Sequence, residues 1–140
     1  MSPEILTSRI SDLNKLLQDL EANLLLSIDE QKFKHYELER QVQLAVDLSL
    51  GVARRLLSLE GAEVPAQAKQ VFFGLAQISV VSKELAEKLA LATGLRNILV
   101  HEYRDLDEDI FFTGLPDGAA IFKDFARAIN DYLVKKFGVT

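Results

Sequence analysis

Apolar residues recur every three or four positions along most of the chain, which is the spacing of one face of an α-helix. The first predicted helix begins just after Pro3, and its apolar positions are Ile10, Leu13, Leu17, Leu20 and Leu24. A second long helix follows Asp29 and repeats the spacing through Leu38, Val42, Ala45, Leu48, Val52, Leu56 and Leu59. Gly61 is expected to end it, and Pro65 prevents its early resumption.

The second half of the chain predicts shorter helices and one long final helix. A third helix is expected over Ala66–Gln77, and Ser82 is expected to cap a fourth that continues toward residues 94–103. The last helix carries an apolar stripe of Ile121, Phe122, Phe125, Ile129, Leu133 and Phe137, with Lys135 and Lys136 in its final turn. Gly114, Pro116 and Gly118 are expected to loosen or kink the chain before it. The only β-like stretch is Ile78–Val81, so we predict an all-α up-and-down bundle of four to five helices, with residues 1–140 as one domain.

The supply of apolar residues is larger than so few helices need. Leu24, Leu25 and Leu26 are consecutive and cannot all face one core, and the same expectation applies to Phe111 and Phe112. Excess apolar surface commonly marks an interface, so we expect a homodimer. A roomy intramolecular core is the alternative.

Composition narrows the chemistry that is available to the chain. Its 140 residues include no cysteine and only two histidines, which excludes disulfides, thiolate metal sites, cysteine nucleophiles and a His-rich metal site. No apolar run approaches the roughly 18 residues of a membrane span, and Met1-Ser2-Pro3-Glu4 does not open a secretory signal, so a cytoplasmic location without membrane contact is expected. The net charge of −5 argues against a general basic field for nucleic acid, and the absence of Trp argues against a broad base-stacking platform. RNA or DNA chemistry would have to be concentrated in a small site.

Candidate chemistry is concentrated in residues 94–105, which read GLRNILVHEYRD. The apolar triplet Ile98-Leu99-Val100 is expected to anchor the segment, and the polar residues on either side need partners or a solvent cleft. On an ideal helix, Arg96 and His101 are separated by about 140° around the axis. Either the helix ends or loosens near Val100, or a second copy of the chain completes the site.

The pattern Arg96-Asn97-x3-His101-x-Tyr103 resembles the Arg-x4-His-x-Tyr signature of the HEPN superfamily, whose members include metal-independent ribonucleases. Chain length and helix order are similar to the HepT branch, the toxin half of HepT–MNT toxin–antitoxin systems. The resemblance implies an endoribonuclease toxin with RNA as substrate, Arg96 and His101 as catalytic residues and Asn97 in support. It further implies that a cognate MNT-type nucleotidyltransferase antitoxin attaches AMP to Tyr103. No metal or other cofactor is implied.

The residue types agree with that chemistry. Metal-free RNA cleavage has to remove a proton from the ribose 2′-OH, stabilise charge on the phosphate and protonate the leaving 5′-oxygen. His101, with a reference pKa of about 6.5, can exchange protons near neutral pH, and Arg96 can hold phosphate oxygens. A dimer would place two histidines in one cleft, so that one could act as base and the other as acid.

Structural roles remain open for each of these residues. His101 could be a buried histidine bonded to a carbonyl, Arg96 could pair with Glu102 or Asp105, Asn97 could be a capping residue, and Tyr103 could lie at the rim of the core. Two alternative functions remain. The chain could be a non-catalytic HEPN-like subunit that binds nucleotide within a nucleotidyltransferase complex, or it could be a helical adaptor protein.

Signals outside this segment are weaker. His35 is expected at the surface or rim, and Arg40, Arg54 and Arg55 either contact phosphate or form a solvated face. The acidic residues Asp105, Asp107, Glu108 and Asp109 fit a helix cap or solvated turn better than a metal site.

Overall fold

The computed structural model describes the backbone of residues 2–101 and 108–138 and the side chains of residues 2–94 and 110–138. This part of the chain forms six α-helices and no strand, which confirms the predicted all-α fold. The helices are α1 (Pro3–Leu24), α2 (Ile28–Phe33), α3 (His35–Leu59), α4 (Ala68–Gln77), α5 (Lys83–His101) and α6 (Glu108–Phe137).

The two long N-terminal helices and the last helix form the centre of the bundle. α1 packs against both α3 and α6, and α4 and α5 pack against each other. Most of the apolar positions predicted for α1 and α6 are buried, including Leu13, Leu17, Phe125 and Ile129, whereas Leu24, Ile121 and Phe137 are half-buried. A buried hydrogen bond of 3.1 Å from Asn23 to Gln41 joins the end of α1 to the start of α3. The burial of the apolar positions shows that the helical spacing in the sequence identifies the core.

The number of helices exceeds the prediction because the second predicted helix begins as a separate short one. Ser27 caps α2, accepting a hydrogen bond from the Glu30 N–H while the Glu30 carboxylate accepts from the Ser27 N–H. Lys34 then departs from α-helical geometry with ψ of 23°, which separates α2 from α3. Asp29, after which the second helix was expected to begin, lies inside α2.

The predicted break at Gly114, Pro116 and Gly118 is wrong, because α6 continues through all three residues. Pro116 cannot donate a hydrogen bond to the preceding turn, a loss of roughly 3 kcal/mol in a helix interior. Phe111, Phe112 and Leu115 on the same segment are buried, and each contributes about 1.5–3 kcal/mol. Burial of these side chains therefore outweighs the helix-breaking tendency of Gly114, Pro116 and Gly118. Both phenylalanines are buried in the core, contrary to the expectation that they could not both face it.

The β-like stretch Ile78–Val81 is a tight connection between α4 and α5. Ser79 has a φ of 61°, and the Val80 N–H donates to the Leu75 carbonyl at 2.9 Å. Val80 and Val81 are buried, which explains the run of β-branched residues. Ser82 caps α5 as predicted, accepting a hydrogen bond of 3.0 Å from the Leu85 N–H.

Candidate functional site

The segment that carries Arg96, Asn97 and His101 forms the last two turns of α5. Their side chains lie outside the described residues, and Tyr103 lies outside them altogether. α5 includes Val100 and ends at His101, so it is helical from Arg96 to His101 and ends near Val100, as one of the two alternatives had it. The two positions on α5 are therefore about 140° apart around the helix axis.

The position of α5 is set by its first three turns. Ala86 and Leu89 are completely buried in the core, and Thr93 donates a hydrogen bond of 2.6 Å to the Ala90 carbonyl. α4 supports α5 and approaches α3 closely, because Gly74 faces Leu57 without a side chain between them. The motif thus extends from a helix whose base is fixed by burial.

The bundle has two distinct ends, and α5 runs from one toward the other. Just before α5, the connection at Ile78–Val80 lines a cavity of about 610 Å³ with Tyr132 and Lys136 of the last turns of α6. α5 is about 28 Å long at 1.5 Å per residue, and it packs against α6, which begins at Glu108. α5 therefore runs toward the start of α6, where α2 also packs. We call this part of the bundle, formed by α2 and the starts of α3 and α6, the motif end.

A close contact between a histidine and a buried carboxylate lies at the motif end. The Nδ1 atom of His35 is 2.8 Å from the Oε2 atom of Glu39, one turn later on α3. The Glu39 side chain is 9% exposed, and within the part of the chain that is described its Oε1 atom is buried without a hydrogen-bond partner. The predicted rim position of His35 is confirmed, since 27% of its side chain is exposed. Glu39 was not identified from the sequence, although the spacing of four residues from His35 was a signal for this pair.

The three arginines of α3 differ in exposure and in position along the helix. Arg40 is exposed and donates a hydrogen bond of 3.1 Å to Gln43, and Arg54 and Arg55 are half-buried. Arg40 is at the motif end, five residues after α3 begins, whereas Arg54 and Arg55 are in its last two turns. α3 therefore does not bring the three arginines to one place.

A second ionised cluster lies at the opposite end of the bundle. Lys136 pairs with Glu60, which follows α3. The hydrogen bond to Glu60 is the main cause that raises the pKa of Lys136 above its usual value. The pKa of Tyr132 is also raised, mainly by burial and next by a hydrogen bond with Glu60. This cluster ties α3 to α6 far from the motif end.

The described side chains include no group of three or more His, Asp or Glu residues that could hold a metal ion. The acidic residues 105, 107, 108 and 109 lie outside that part of the chain, so their interpretation as a cap or solvated turn stays a prediction. Among the helices that the structure describes, none combines the length and the apolarity needed to cross a membrane.

Comparisons with known proteins agree on one family. The sequence profile of the family described as "Ribonuclease HepT-like" matches residues 5–129. The protein named "tRNA nuclease HepT" from Aphanizomenon flos-aquae is 27% identical over 137 residues, which cover 96% of this chain and 93% of that protein. The "mRNA nuclease HepT" of Shewanella oneidensis is 30% identical over 93 residues, covering 66% of this chain and 67% of the relative.

A solved structure shares the fold along nearly the whole chain. It is described as a tri-AMPylated Shewanella oneidensis HEPN toxin in complex with MNT antitoxin. The match has a TM-score of 0.78 at 20% identity and covers 94% of this chain and 99% of that one.

Proposed function

The chain belongs to the HepT-like ribonuclease family, and from that premise we propose that it is a metal-independent endoribonuclease toxin that cleaves RNA at a site shared by two subunits. Arg96 and His101 carry the reaction, and Asn97 supports them. Support comes from the family match, from relatives named as RNA nucleases, and from the place of all three residues on the last two turns of α5.

The reaction needs a base at the ribose 2′-OH, a stabiliser of the phosphate and an acid at the leaving 5′-oxygen. His101 exchanges protons near neutral pH, and Arg96 remains protonated and binds two phosphate oxygens with its planar guanidinium. A single histidine cannot accept the 2′-OH proton and donate a proton to the 5′-oxygen in the same step. Two copies supply both roles, and the products carry 2′,3′-cyclic phosphate and 5′-OH ends.

The single observation that carries the two-subunit site is the continuity of α5 through Val100 to His101. A regular helix places positions 96 and 101 about 140° apart, so the two residues of one chain diverge around the axis. A second motif approaching from a homodimer partner offers Arg96 of one copy to His101 of the other. Leu25, with 90% of its surface exposed, and Ile110, with 73% exposed, are apolar surface that a partner could cover.

The proposal is tested by incubating the purified protein with total RNA in excess EDTA, beside a His101→Ala variant purified in the same way. Cleavage by the unmodified protein and loss of cleavage in the variant are expected. Strict dependence on a divalent ion would contradict the metal-independent mechanism. Light scattering at micromolar concentration should give twice the 15.7 kDa chain mass, and a persistent monomer would contradict the shared site.

We further propose that a cognate MNT-type nucleotidyltransferase neutralises the toxin by adding AMP to Tyr103. The structural relative described as tri-AMPylated and bound to MNT antitoxin supports this assignment by its description. A tyrosine hydroxyl with a pKa near 10 is a poor proton-transfer group at neutral pH but a usable acceptor for a nucleotidyl group. The attached phosphodiester would repel RNA and compete for Arg96, and the adenosine would block the cleft.

The Tyr103→Phe variant separates catalysis from control. It should fold, retain much of its cleavage activity and escape neutralisation when incubated with the partner nucleotidyltransferase, ATP and magnesium. Intact-protein mass spectrometry should show added AMP on the unmodified protein alone. AMP addition at another residue that still silences the Tyr103→Phe variant would refute the assignment.

A further inference from the structure

Two exposed aromatic rings and two cations follow one another across the junction of α2 and α3. Phe33 is 90% exposed, Tyr36 is 73% exposed, and Lys34 and Arg40 are also exposed. We call Phe33, Lys34, Tyr36 and Arg40 the aromatic–basic stripe.

At the junction, Lys34 takes part in the last hydrogen bond of α2 and in the first of α3. The Lys34 N–H donates to the Glu30 carbonyl at 3.1 Å, and the Leu38 N–H donates to the Lys34 carbonyl at 3.1 Å. Phe33 ends α2, Tyr36 and Arg40 are four residues apart on one face of α3, and all three side chains are exposed. The buried Gln31 and Leu38 lie on the other side of the same segment.

Folding does not account for the exposed Phe33 ring. A fully buried Phe contributes about 1.5–3 kcal/mol to folding, and a ring that is 90% exposed contributes little of that. Single exposed apolar residues are ordinary on protein surfaces, but two exposed rings three residues apart and interleaved with cations form a pattern typical of single-stranded nucleic-acid binding. The cations favour a polyanion over an apolar protein surface as the occupant.

The stripe and the proposed active site lie toward the same end of the bundle. The stripe belongs to the motif end, at which α2 packs against α6 and toward which α5 runs. The chain has a net charge of −5, so local contacts rather than a long-range field must hold the RNA. Two rings suffice for one or two bases, in keeping with a small binding site.

We propose that the aromatic–basic stripe binds single-stranded RNA beside the cleavage site, an inference that rests on the proposed ribonuclease function. Bases stack on Phe33 and Tyr36, and Arg40 and Lys34 contact the neighbouring phosphates. Glu37 lies 3.8 Å from the Lys34 amine and weakens its attraction for phosphate, so Arg40 is the stronger of the two cations. Stacking on both rings tolerates any base, so the stripe contributes affinity and register rather than sequence specificity.

The test measures RNA binding without cleavage, in a His101→Ala parent protein. Fluorescence anisotropy compares a short labelled single-stranded RNA with an RNA of the same length that lacks bases. Phe33→Ala should weaken binding of the ordinary RNA about 5- to 150-fold and leave binding of the base-free RNA unchanged. Phe33→Tyr should bind like the parent, and Leu91→Ala, which removes a 78% exposed apolar side chain that is not aromatic, is the control.

A second measurement isolates the cationic part of the stripe. Arg40→Gln should reduce the slope of log affinity against log salt by about 0.7, the value for one phosphate contact on a single strand. The proposal would be overturned if Phe33→Ala weakened binding of the ordinary and the base-free RNA equally. It would also be overturned if Arg40→Gln left the slope of log affinity against log salt unchanged. A halved mass of Phe33→Ala in light scattering would also overturn it, because the stripe would then be a contact between subunits.

Failure of the stripe and failure of the ribonuclease proposal give different results. If the unmodified protein cleaves RNA in EDTA while Phe33→Ala binds RNA as tightly as its His101→Ala parent, the stripe alone is refuted. If the unmodified protein neither cleaves nor binds RNA, both proposals are refuted.

Discussion

Two glycines in the supporting helices offer a direct test of how closely α4 approaches α3. A Cβ atom added at Gly51 in α3 would meet no heavy atom within 4 Å, whereas one at Gly74 in α4 would lie 3.3 Å from Cδ1 and 3.4 Å from Cδ2 of Leu57. Leu57 is only 1% exposed, so its side chain has little space into which it can move. The contact matters for function because α4 supports α5, the helix that carries the motif.

The two substitutions are expected to change the free energy of unfolding in opposite directions. Replacing Gly by Ala within a helix gains about 0.8–1.0 kcal/mol, and Gly51→Ala should gain all of it. Gly74→Ala gains the same amount but overpacks against Leu57, and overpacking a buried contact costs about 1–3 kcal/mol. We therefore expect Gly74→Ala to be about 1 kcal/mol less stable than the unmodified protein, and about 2 kcal/mol less stable than Gly51→Ala.

Urea unfolding followed by far-ultraviolet circular dichroism measures both variants, at one protein concentration because the stability of the proposed dimer would depend on that concentration. For a chain of this size, 1 kcal/mol corresponds to a shift in Tm of roughly 3–5 °C, which gives a second reading. If Gly74→Ala is stabilised as much as Gly51→Ala, α4 does not pack against Leu57 of α3 at the distance given above. That result would refute the close packing through which α4 supports α5.

Three further predictions concern stability. Phe125→Ala should lower the free energy of unfolding by about 3–5 kcal/mol in urea titrations, because its ring is fully buried in the core; a loss below 1 kcal/mol would contradict that position. Pro116→Ala should raise it by about 1–3 kcal/mol by restoring a helical hydrogen bond, and a destabilised variant would show that the proline is needed where it is. The pKa values of Lys136 and Tyr132 are both raised, so both groups keep protons in the folded chain at a pH where the unfolded chain releases them. Their contribution to stability is complete below about pH 10 and falls as the pH rises through the raised values. Lys136→Met should flatten this alkaline decline in pH-dependent thermal melts, and an unchanged decline would exclude the lysine as its source.

The sequence predicts the long helices well because their apolar spacing and their burial have the same cause. Leu13 and Leu17 of α1 and Phe125 and Ile129 of α6 are spaced for one helical face and are buried on it. The Ser82 cap is equally local, since it needs only a side-chain oxygen within reach of the N–H groups of the first turn.

The sequence predicts less well where tertiary contacts outweigh local preference. Gly114, Pro116 and Gly118 favour a break, yet buried Phe111 and Phe112 keep α6 helical, and no local pattern reveals what those rings will pack against. The end of α2 at Lys34 is likewise invisible, because the helical spacing continues across it. For the site, the pattern of Arg96, Asn97, His101 and Tyr103 points to the family, but the proposed meeting of two motifs would depend on a second chain that no spacing within one chain describes.

Cleavage of one defined single-stranded RNA in excess EDTA tests the central claim most directly. Single-turnover rates should be measured for the unmodified protein, Arg96→Ala and His101→Ala, with circular dichroism to verify that each is folded. We predict fragments with 2′,3′-cyclic phosphate ends and a loss of about 10²-fold or more in each variant. A folded His101→Ala variant that cleaves at the full rate, or fragments that lack cyclic phosphate ends, would contradict the account.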